Sequence, residues 1–493
     1  MFNGQLYPRL LAAVLLAAGA ADAREPTSLA ALARSTLGAG QGVYIEAADG
    51  TILLSQAADR AVHPASVSKV PTTLALLRKL GADFRFTTTF AARGRIQGGT
   101  LEGDLLVAGD NDPYLVDENA LLVARQLNEL GLRHVTGALR ASGPLTFDWH
   151  SDSDAAHLQQ VLSGNTPPAA WEAVRSLSPT GSPLPALQFD GAAGPTGVTP
   201  DALAVQPLLV HRSQTLVELA KHLNDYSNNV FKPLADAAGG AGAVETLARS
   251  LVPAAMRAEI TLGDGAGTDP RNRLSPRAAV KLLRALEQEL THSGHRLVDI
   301  LPVAGVDEGT LHDRLNAPDE SGRVVGKTGT FGDYGASALV GAISTRDFGT
   351  VYFAILDHGV PVRVARRQQD RFVSALLSRL QALPWAYQHD ARPAVARAQL
   401  ARAGAPAPRR TGQSQLRCAA QLRSVARRDH RRHRRVSRPA PAAAPGLRRE
   451  PAACVVCVGD PERRGPVEAR LPAAGRPART APAAGFTQPA TTR

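Results

Sequence analysis

A serine and a lysine three residues apart are the first residues whose types and spacing suggest catalysis. Ser66-Val67-Ser68-Lys69 stands at a predicted helix start, where residues three apart lie on one face as neighbours. A hydroxyl is a poor nucleophile at neutral pH, but a lysine kept desolvated beside other cations can be neutral and accept its proton. The helix N-terminus would add donors for a developing oxyanion. Taken alone, the spacing is equally typical of an ordinary helix start with a solvated lysine.

Two later motifs could complete such a site. Lys327-Thr328-Gly329-Thr330 follows a strand-like run, and a lysine and a hydroxyl on a strand can hold a carboxylate by charge-assisted hydrogen bonds. Its glycine lets a substrate backbone approach closely. Ser227-Asn228-Asn229 follows an amphipathic helix; Ser227 could relay protons, and the amide of Asn229 could hold a peptide group. Alone, these motifs also fit a Thr-Gly turn after a strand and a helix end capped by asparagine.

Hydrophobic periodicity indicates the elements that must position these residues. The predicted strands are 43–47, 51–55, 324–327, 336–343 and 351–356; the predicted helices are 71–80, one with Leu216, Leu219, Ala220 and Leu223 on one face, and one with Phe372, Val373, Leu376, Leu377 and Leu380 on one face. Strands at both ends with helices between them predict an antiparallel α/β sandwich rather than a doubly wound fold. Pro71 would remove the hydrogen bond to Val67 in a helix starting near Ser66, so we expect a distorted helix or a later start.

The three motifs together are far more informative than each one separately. Ser-x-x-Lys, Ser-Asp-Asn and Lys-Thr-Gly form the set used by penicillin-binding proteins and class A β-lactamases. From about Leu29 to Leu383 the chain resembles the penicillin-binding D-alanyl-D-alanine carboxypeptidase/endopeptidase family with an inserted domain. Further family-like stretches are 83–90, 101–113, 264–267 and 301–311.

The resemblance implies a fold and a role for each matching residue. The fold is the penicillin-recognising serine transpeptidase/β-lactamase-like sandwich, an antiparallel sheet flanked by helices, with a helical subdomain and an inserted β-rich domain. The implied roles are the acylated nucleophile for Ser66, its general base for Lys69, a proton shuttle for Ser227, substrate-amide orientation for Asn229, terminal-carboxylate binding for Lys327 and Thr328 beside Gly329, and an oxyanion hole formed by the N–H groups of Ser66 and Thr330.

By the same resemblance the substrates are peptidoglycan stem peptides, and β-lactam antibiotics should inhibit by acylating Ser66. No metal or organic cofactor is required. Two features depart from the family: the second motif has Asn228 where aspartate is commoner, and the 161-residue Ser66–Ser227 separation predicts a reduced insert.

Two other classes of protein remain open from the sequence. A serine β-lactamase or esterase of the same fold would also use these motifs, and Tyr226-Ser227-Asn228 fits a Tyr-x-Asn pattern of one lactamase class. The insert and the 264–267 stretch favour the peptidase, and the chain between Ser227 and Lys327 contains no convincing Glu-x-x-x-Asn deacylation motif. A non-catalytic peptidoglycan-binding protein would lack the nucleophile or base, and both are present.

Composition divides the chain into four parts. Residues 1–23 predict a cleaved signal peptide: Arg9 precedes the apolar run 10–20, and Ala21-Asp22-Ala23 supplies the small residues read at cleavage. No later segment is apolar enough to span a membrane, so we expect a periplasmic protein with no stable membrane span. The remaining parts are a catalytic domain of 24–83 and 210–385, an inserted domain of 84–209 and a basic tail of 386–493.

The tail carries the positive charge of the chain. From Gln388 onward there are 22 arginines, no lysine and 6 acidic residues, whereas the preceding part has 34 basic and 38 acidic residues. Only this tail would favour a nucleic-acid-binding function, and we expect no nucleic-acid partner. The tail cannot bury enough apolar surface to order itself, which predicts disorder or, given the absence of lysine, a shifted reading frame. The three cysteines, Cys418, Cys454 and Cys457, lie there without a complete zinc set.

Overall fold

The computed structural model describes residues 28–196, 205–226, 231–332, 335–390 and 394–403. The predicted signal peptide, the motif Ser227-Asn228-Asn229 and the three cysteines lie outside these ranges. The helices are α1 (Leu29–Thr36), α2 (Lys69–Leu80), α3 (Asp117–Glu129), α4 (Ala156–Leu162), α5 (Pro168–Arg175), α6 (Leu216–Asp225), α7 (Phe231–Ala237), α8 (Ala241–Ser250), α9 (Pro276–His292) and α10 (Val362–Arg379), with 3-10 helices at Ala65–Ser68, Ala254–Glu259, Leu297–Asp299 and Ala394–Arg397.

The strands follow the predicted pattern at both ends of the body. They are β1 (Gly42–Ala47), β2 (Ile52–Gln56), β3 (Thr87–Gln97), β4 (Thr100–Gly109), β5 (His134–Val135), β6 (Leu139–Ser142), β7 (Thr146–Phe147), β8 (His150–Ser151), β9 (Gln188–Phe189), β10 (Gly194–Pro195), β11 (Val205–Arg212), β12 (Ile260–Thr261), β13 (Arg273–Leu274), β14 (Val324–Phe331), β15 (Ala336–Thr345), β16 (Thr350–His358), β17 (Ala382–Leu383) and β18 (Gln399–Arg402).

The first sheet is closed by segments from distant parts of the sequence, as predicted. Its order is β14-β15-β16-β1-β2, with β17 added to β15, and its neighbouring strands pair antiparallel. β1 pairs with β16 so that Ile45 opposes Phe353, some three hundred residues away. Strand β14, which carries Lys327, therefore lies at one edge of the sheet.

Helices cover both faces of this sheet, because successive strand residues point to opposite sides. On β15, Leu339 packs into a cluster with Phe372 of α10 and Ala33 of α1. Its neighbour Val340 packs into a second cluster with residues of α2, α6 and α9, including Leu283. The predicted sandwich of an antiparallel sheet between helical layers is confirmed.

The segment between α2 and α6 builds a second sheet with its own core. Its order is β10-β6-β4-β3-β11-β18, with β5 on β4 and β9 on β5. Phe90, Leu105 and Leu209 of this sheet are fully buried against Leu121 of α3 and Leu158 of α4. The segment is β-rich, as predicted, with helices α3 to α5 packed on its sheet. Strand β11 continues past residue 209 because it pairs with β3 as far as Arg212, which opposes Thr87.

One part of the tail is ordered where we predicted no regular structure. Strand β18 pairs antiparallel with β11, Arg402 opposing Leu209, and Leu400 packs against the second core. The prediction of disorder from residue 386 is wrong for this stretch, because backbone hydrogen bonds to a free strand edge need few apolar side chains. Among the described residues, no helix combines the length and apolarity needed to span a bilayer.

Candidate active site

Ser66 and Lys69 meet at the junction of a 3-10 turn and a helix. Ser66 lies in the 3-10 helix Ala65–Ser68, and Lys69 is the first residue of α2. The helix thus begins later than Ser66, which places Pro71 in the first turn, where a backbone N–H has no intrahelical acceptor. The Lys69 ammonium Nζ donates to Ser66 Oγ at 2.9 Å. Ala65, with a φ of 48°, is in the left-handed region that non-glycine residues rarely adopt.

Lys69 is enclosed almost completely. It is 1% exposed, donates a second hydrogen bond of 2.8 Å to the carbonyl of Ala266, and lies 5.1 Å from the ring centre of Phe231. Burial, and after it the positive charge of Lys327, lower the pKa of Lys69 to about 7, and the carboxylate of Asp264 partly opposes them. At neutral pH a substantial fraction of Lys69 can therefore be the free amine that a general base requires.

The turn containing Asp264 and Gly267 fixes the carbonyl that holds Lys69. Asp264 accepts hydrogen bonds from the backbone N–H groups of Gly267 at 2.8 Å and Thr268 at 2.9 Å, and from the Asn272 amide at 2.9 Å. Gly267 has a φ of +87°, and a Cβ there would come within 2.0 Å of the Ala65 carbonyl oxygen. Residues 264–267 are family-like in sequence but had no predicted role; in the structure they support the serine–lysine turn.

Strand β14 brings the Lys327 motif to the same turn. A Cβ at Gly329 would lie 2.6 Å from the Pro64 carbonyl oxygen and 3.1 Å from the Ser66 backbone nitrogen, so strand and turn are in direct backbone contact. Lys327 is fully buried and donates to the Thr328 carbonyl at 3.1 Å. Burial lowers the pKa of Lys327 to about 8, against the opposing effect of Asp225.

Two side chains that the sequence analysis did not select extend this edge of the site. Arg366 of α10 donates to Thr330 Oγ1 at 2.7 Å, and the hydroxyls of Thr310 and Thr328 share a hydrogen bond of 2.6 Å. Thr310 belongs to the family-like stretch 301–311, so a signal existed for it. Nothing in the local sequence of α10 distinguishes Arg366 from its neighbouring arginines.

Ser227 and Asn229 lie outside the described residues, but the chain just before them is placed. The carbonyl of Asp225, the last residue of α6, accepts a hydrogen bond of 2.9 Å from the Thr310 backbone N–H. Thr310 in turn bonds Thr328, so the end of α6 is tied to β14 through one residue. Asp225 is buried, which raises the pKa of its carboxyl to about 7.

A buried ion pair between Lys221 and Asp307 anchors α6. Lys221 donates to Asp307 Oδ2 at 2.5 Å and to the carbonyls of Val298 at 3.0 Å and Leu301 at 2.6 Å. Tyr387 donates to the other Asp307 oxygen at 2.7 Å. Because Lys221 and Tyr387 bring two distant parts of the chain to this carboxylate, the network fixes the position of α6 just before the second motif.

The described part of the site therefore combines a hydroxyl, a neutralisable amine and a second cation around one backbone junction. Such an arrangement can activate the hydroxyl, and it favours anionic groups because two cations are held near each other with little solvent.

Comparison with known proteins agrees with this chemistry. The sequence profile of the D-Ala-D-Ala carboxypeptidase 3 (S13) family matches residues 28–168 and 192–379, more than half of the chain. Carboxypeptidase DacB of Mycolicibacterium smegmatis is 28% identical over 376 residues, which cover 67% of this chain and 78% of that protein.

Solved structures show the same fold. The penicillin G-acylated Bd3459 predatory endopeptidase of Bdellovibrio bacteriovorus, in complex with immunity protein Bd3460, is similar with a TM-score of 0.62 at 21% identity, covering 71% of this chain and 96% of that one. Penicillin-binding protein 4 (dacB) of Haemophilus influenzae, complexed with a β-lactam, gives a TM-score of 0.52 at 18% identity over 72% of this chain and 98% of that one. The resemblance seen in the sequence is confirmed: the chain belongs to the D-Ala-D-Ala carboxypeptidase 3 (S13) family and is a serine-type D-Ala-D-Ala carboxypeptidase, a hydrolase.

Proposed function

We propose that Ser66 is the nucleophile of this peptidase and Lys69 its general base. The observation that carries the proposal is the 2.9 Å hydrogen bond from Lys69 Nζ to Ser66 Oγ, with the pKa of Lys69 lowered to about 7. In the neutral state Lys69 takes the hydroxyl proton as Ser66 Oγ bonds to the carbonyl carbon of the penultimate D-alanine. The proton then passes to the departing amine, and D-alanine is released.

The edge strand β14 is proposed to bind the end of the substrate. Lys327 and Thr328 hold the terminal carboxylate, with Arg366 adding a second cation through its contact to Thr330. The backbone N–H groups of Ser66 and Thr330 form the oxyanion hole. The direct backbone contact between Gly329 and the Ser66 turn supports this geometry, because a side chain at 329 would push the two apart.

Ser227 and Asn229 are proposed, from their motif, as proton shuttle and substrate-amide ligand. Their support is indirect: the hydrogen bonds from Asp225 through Thr310 to Thr328 hold the preceding chain beside the substrate strand. A hydroxyl there could carry the proton between Lys69 and the leaving amine.

The proposed substrates are peptidoglycan stem peptides ending in D-Ala-D-Ala, and cross-links between D-alanine and diaminopimelate for the endopeptidase reaction. Water hydrolyses the acyl-enzyme in both cases. Penicillins would acylate Ser66 and leave slowly. Because these substrates lie outside the cytoplasm, we also propose export to the periplasm with cleavage after Ala23, which predicts a secreted chain whose first residue by mass spectrometry is Arg24.

Labelled benzylpenicillin followed by peptide mapping tests the nucleophile. We expect one adduct, on the peptide containing Ser66, and none in Ser66→Ala. The matched control is Ser68→Ala, since Ser68 is buried in the same 3-10 turn. An adduct that persists in Ser66→Ala, or that disappears equally in Ser68→Ala, would contradict the assignment.

Product analysis separates the neighbouring functions. A peptidase releases D-alanine from an acyl-D-Ala-D-Ala peptide, or cleaves a cross-linked dimer, and turns penicillin over slowly. Rapid multiple turnover of benzylpenicillin without D-alanine release would instead identify a β-lactamase. A protein that binds stem peptides and forms no penicillin adduct would be non-catalytic.

A further inference from the structure

Three potential metal ligands from separate segments converge in the inserted segment. Asp117 is the first residue of α3, Asp148 lies in the turn between β7 and β8, and His157 is the second residue of α4. One ligand atom of each lies within 4.8 Å of the others. Asp117 Oδ1 and His157 Nε2 are 3.8 Å apart.

Asp117 shows that this cluster is more than a set of surface charges. Its side chain is buried, the residue being 6% exposed, and Oδ1 has no hydrogen-bond partner. A buried carboxylate oxygen without a donor is costly and rare in folded proteins. That oxygen is the atom that faces His157, so the unsatisfied group points into the cluster.

Contacts limit the motion of the His157 ring and of the turn that carries Asp148. The ring of Phe147 packs edge-on against the imidazole of His157 at 4.9 Å, which restricts its rotation. The backbone N–H of Asp148 donates to the Leu115 carbonyl at 2.9 Å, fixing the turn against the chain that leads into α3. Ligands that are oriented before binding lose less freedom when the ion arrives.

We propose that Asp117, Asp148 and His157 bind a divalent transition-metal ion of the zinc class. Zinc accepts imidazole nitrogen and carboxylate oxygen together, and tetrahedral ligands at its usual bond lengths are about 3.3 Å apart. The present 3.8 Å separation needs only a small approach. Two carboxylates neutralise the dication, and solvent can fill the fourth position.

The ion would tie the β7–β8 turn to two helices, and this role is distinct from acyl transfer. Trp149, which follows Asp148, packs edge-on against Tyr114 at 4.9 Å. The Tyr114 ring lies 5.9 Å from that of His222 in α6. Metal binding therefore stabilises the part of the insert that contacts α6.

Zinc titration of the chelator-treated full chain tests the site. Cys454 and Cys457 are first replaced by serine, because their thiolates would compete for zinc. We expect one equivalent by calorimetry and a zinc-dependent rise in melting temperature. Asp117→Asn and His157→Gln should each weaken zinc binding at least about tenfold. The control is His134→Gln, a histidine of the same segment paired with Asp190 instead, which should bind zinc like the parent.

Folding is checked separately in each variant. Every variant should still be acylated by benzylpenicillin, since Ser66 and Lys69 are untouched, and metal-free Asp117→Asn should melt no lower than the metal-free parent because it loses an unsatisfied carboxylate. Folded variants that bind zinc as tightly as the parent, or a parent whose melting temperature zinc does not raise, would overturn the proposal.

Discussion

At the scale of single residues, the proposed mechanism depends on keeping one lysine neutral and another charged. Lys69 and Lys327 are both buried, and the charge of Lys327 disfavours protonation of Lys69. Burial lowers the pKa of Lys327, but Asp225 raises it and so helps to keep Lys327 charged. The proposed base, Lys69, therefore loses its proton at lower pH than the proposed carboxylate ligand, Lys327, although both are lysines.

The pH dependence of acylation follows from the lowered pKa values of Lys69 and Lys327. Below a pH of about 7 Lys69 is protonated and cannot accept the Ser66 proton, so the rate should rise with pH through this point. Above a pH of about 8 Lys327 loses its charge and the substrate carboxylate binds less well, so the rate should fall. We expect a bell-shaped profile of the second-order rate constant for benzylpenicillin. A flat profile from pH 6 to 9 would show that neither lysine acts in this way.

Removing the charge at position 327 should move the acidic limb of that profile. In Lys327→Met the repulsion on Lys69 disappears, its pKa rises, and the midpoint shifts to higher pH as the overall rate falls. Lys79→Met, at the exposed end of α2, is the control and should leave the midpoint unchanged. A midpoint that stays in place or moves to lower pH in Lys327→Met would contradict the coupling.

Arg366 gives a prediction about substrate binding. In Arg366→Ala the cation next to Thr330 is lost, and a charge-assisted hydrogen bond contributes about 1.5–3 kcal/mol. We expect KM for an acyl-D-Ala-D-Ala peptide to rise at least about tenfold with a smaller change in kcat. Arg367→Ala, the exposed neighbour on α10, should have little effect; equal KM values for the two variants would remove Arg366 from the binding site.

At the scale of elements, the site is a junction of backbones rather than a set of side chains on one element. The 3-10 turn with Ser66 is packed between β14 on one side and the Gly267 turn on the other. Glycines at both contacts allow separations that no side chain would permit. The position of Ser66, the proposed nucleophile, is thus set by contacts with two other segments.

Gly267→Ala should distort this junction. Its left-handed φ of +87° costs about 1–2 kcal/mol for alanine, and its Cβ would also collide with the Ala65 carbonyl. We expect the free energy of unfolding to fall by more than this conformational cost. The acylation rate should fall about 100-fold, since small misplacements of a nucleophile are costly. Gly240→Ala is the matched control: its φ is +92° but nothing lies within 4 Å of its Cβ.

Gly240→Ala separates the cost of a positive φ from the cost of the collision with Ala65. Gly240→Ala should lose only the conformational cost in a denaturant titration and keep its acylation rate. If Gly267→Ala behaved in the same way, the turn would not determine the position of Ser66.

The sequence was sufficient for the strands and helices that carry the motifs, because their periodicity reflects which faces are buried. The strands at 43–47 and 336–343 and the stripe on α10 are all found where we predicted them. The Asp264 turn and Arg366 were not foreseen in their roles. Ala266 in the Asp264 turn contacts Lys69, about two hundred positions away, and Arg366 contacts Thr330, about thirty-six positions away. No local sequence pattern indicates contacts between residues so far apart.

At the scale of the whole molecule, the described residues form two large sheets with separate cores, and residues 387–402 contact both cores. Tyr387 and His389 contact Asp307 beside α6, at 2.7 and 2.9 Å. Strand β18 then joins the second sheet. We predicted disorder here from the low content of apolar residues. The contacts that order residues 387–402 are instead hydrogen bonds to a buried carboxylate and to the free edge of a strand.

Truncation tests whether residues 386–403 stabilise the fold. A chain ending at Ala403 should unfold with the same free energy as the full chain and acylate at the same rate. A chain ending at Trp385 loses the hydrogen bond from Tyr387 to the Asp307 carboxylate and strand β18, and should be less stable by at least about 2 kcal/mol. Equal denaturation midpoints for both truncations would show that residues 386–403 contribute nothing to stability.

When Lys69 is protonated, it and Lys327 are two desolvated ammonium groups close together, and this has a consequence for how the free protein behaves in ordinary buffers. Their mutual repulsion is relieved by any small oxyanion that enters the cleft, so phosphate or sulfate should slow penicillin acylation competitively and protect the protein against heat. Rates measured in phosphate would then underestimate reactivity, and the product D-alanine, which carries the same carboxylate, should act as a weak inhibitor of its own release.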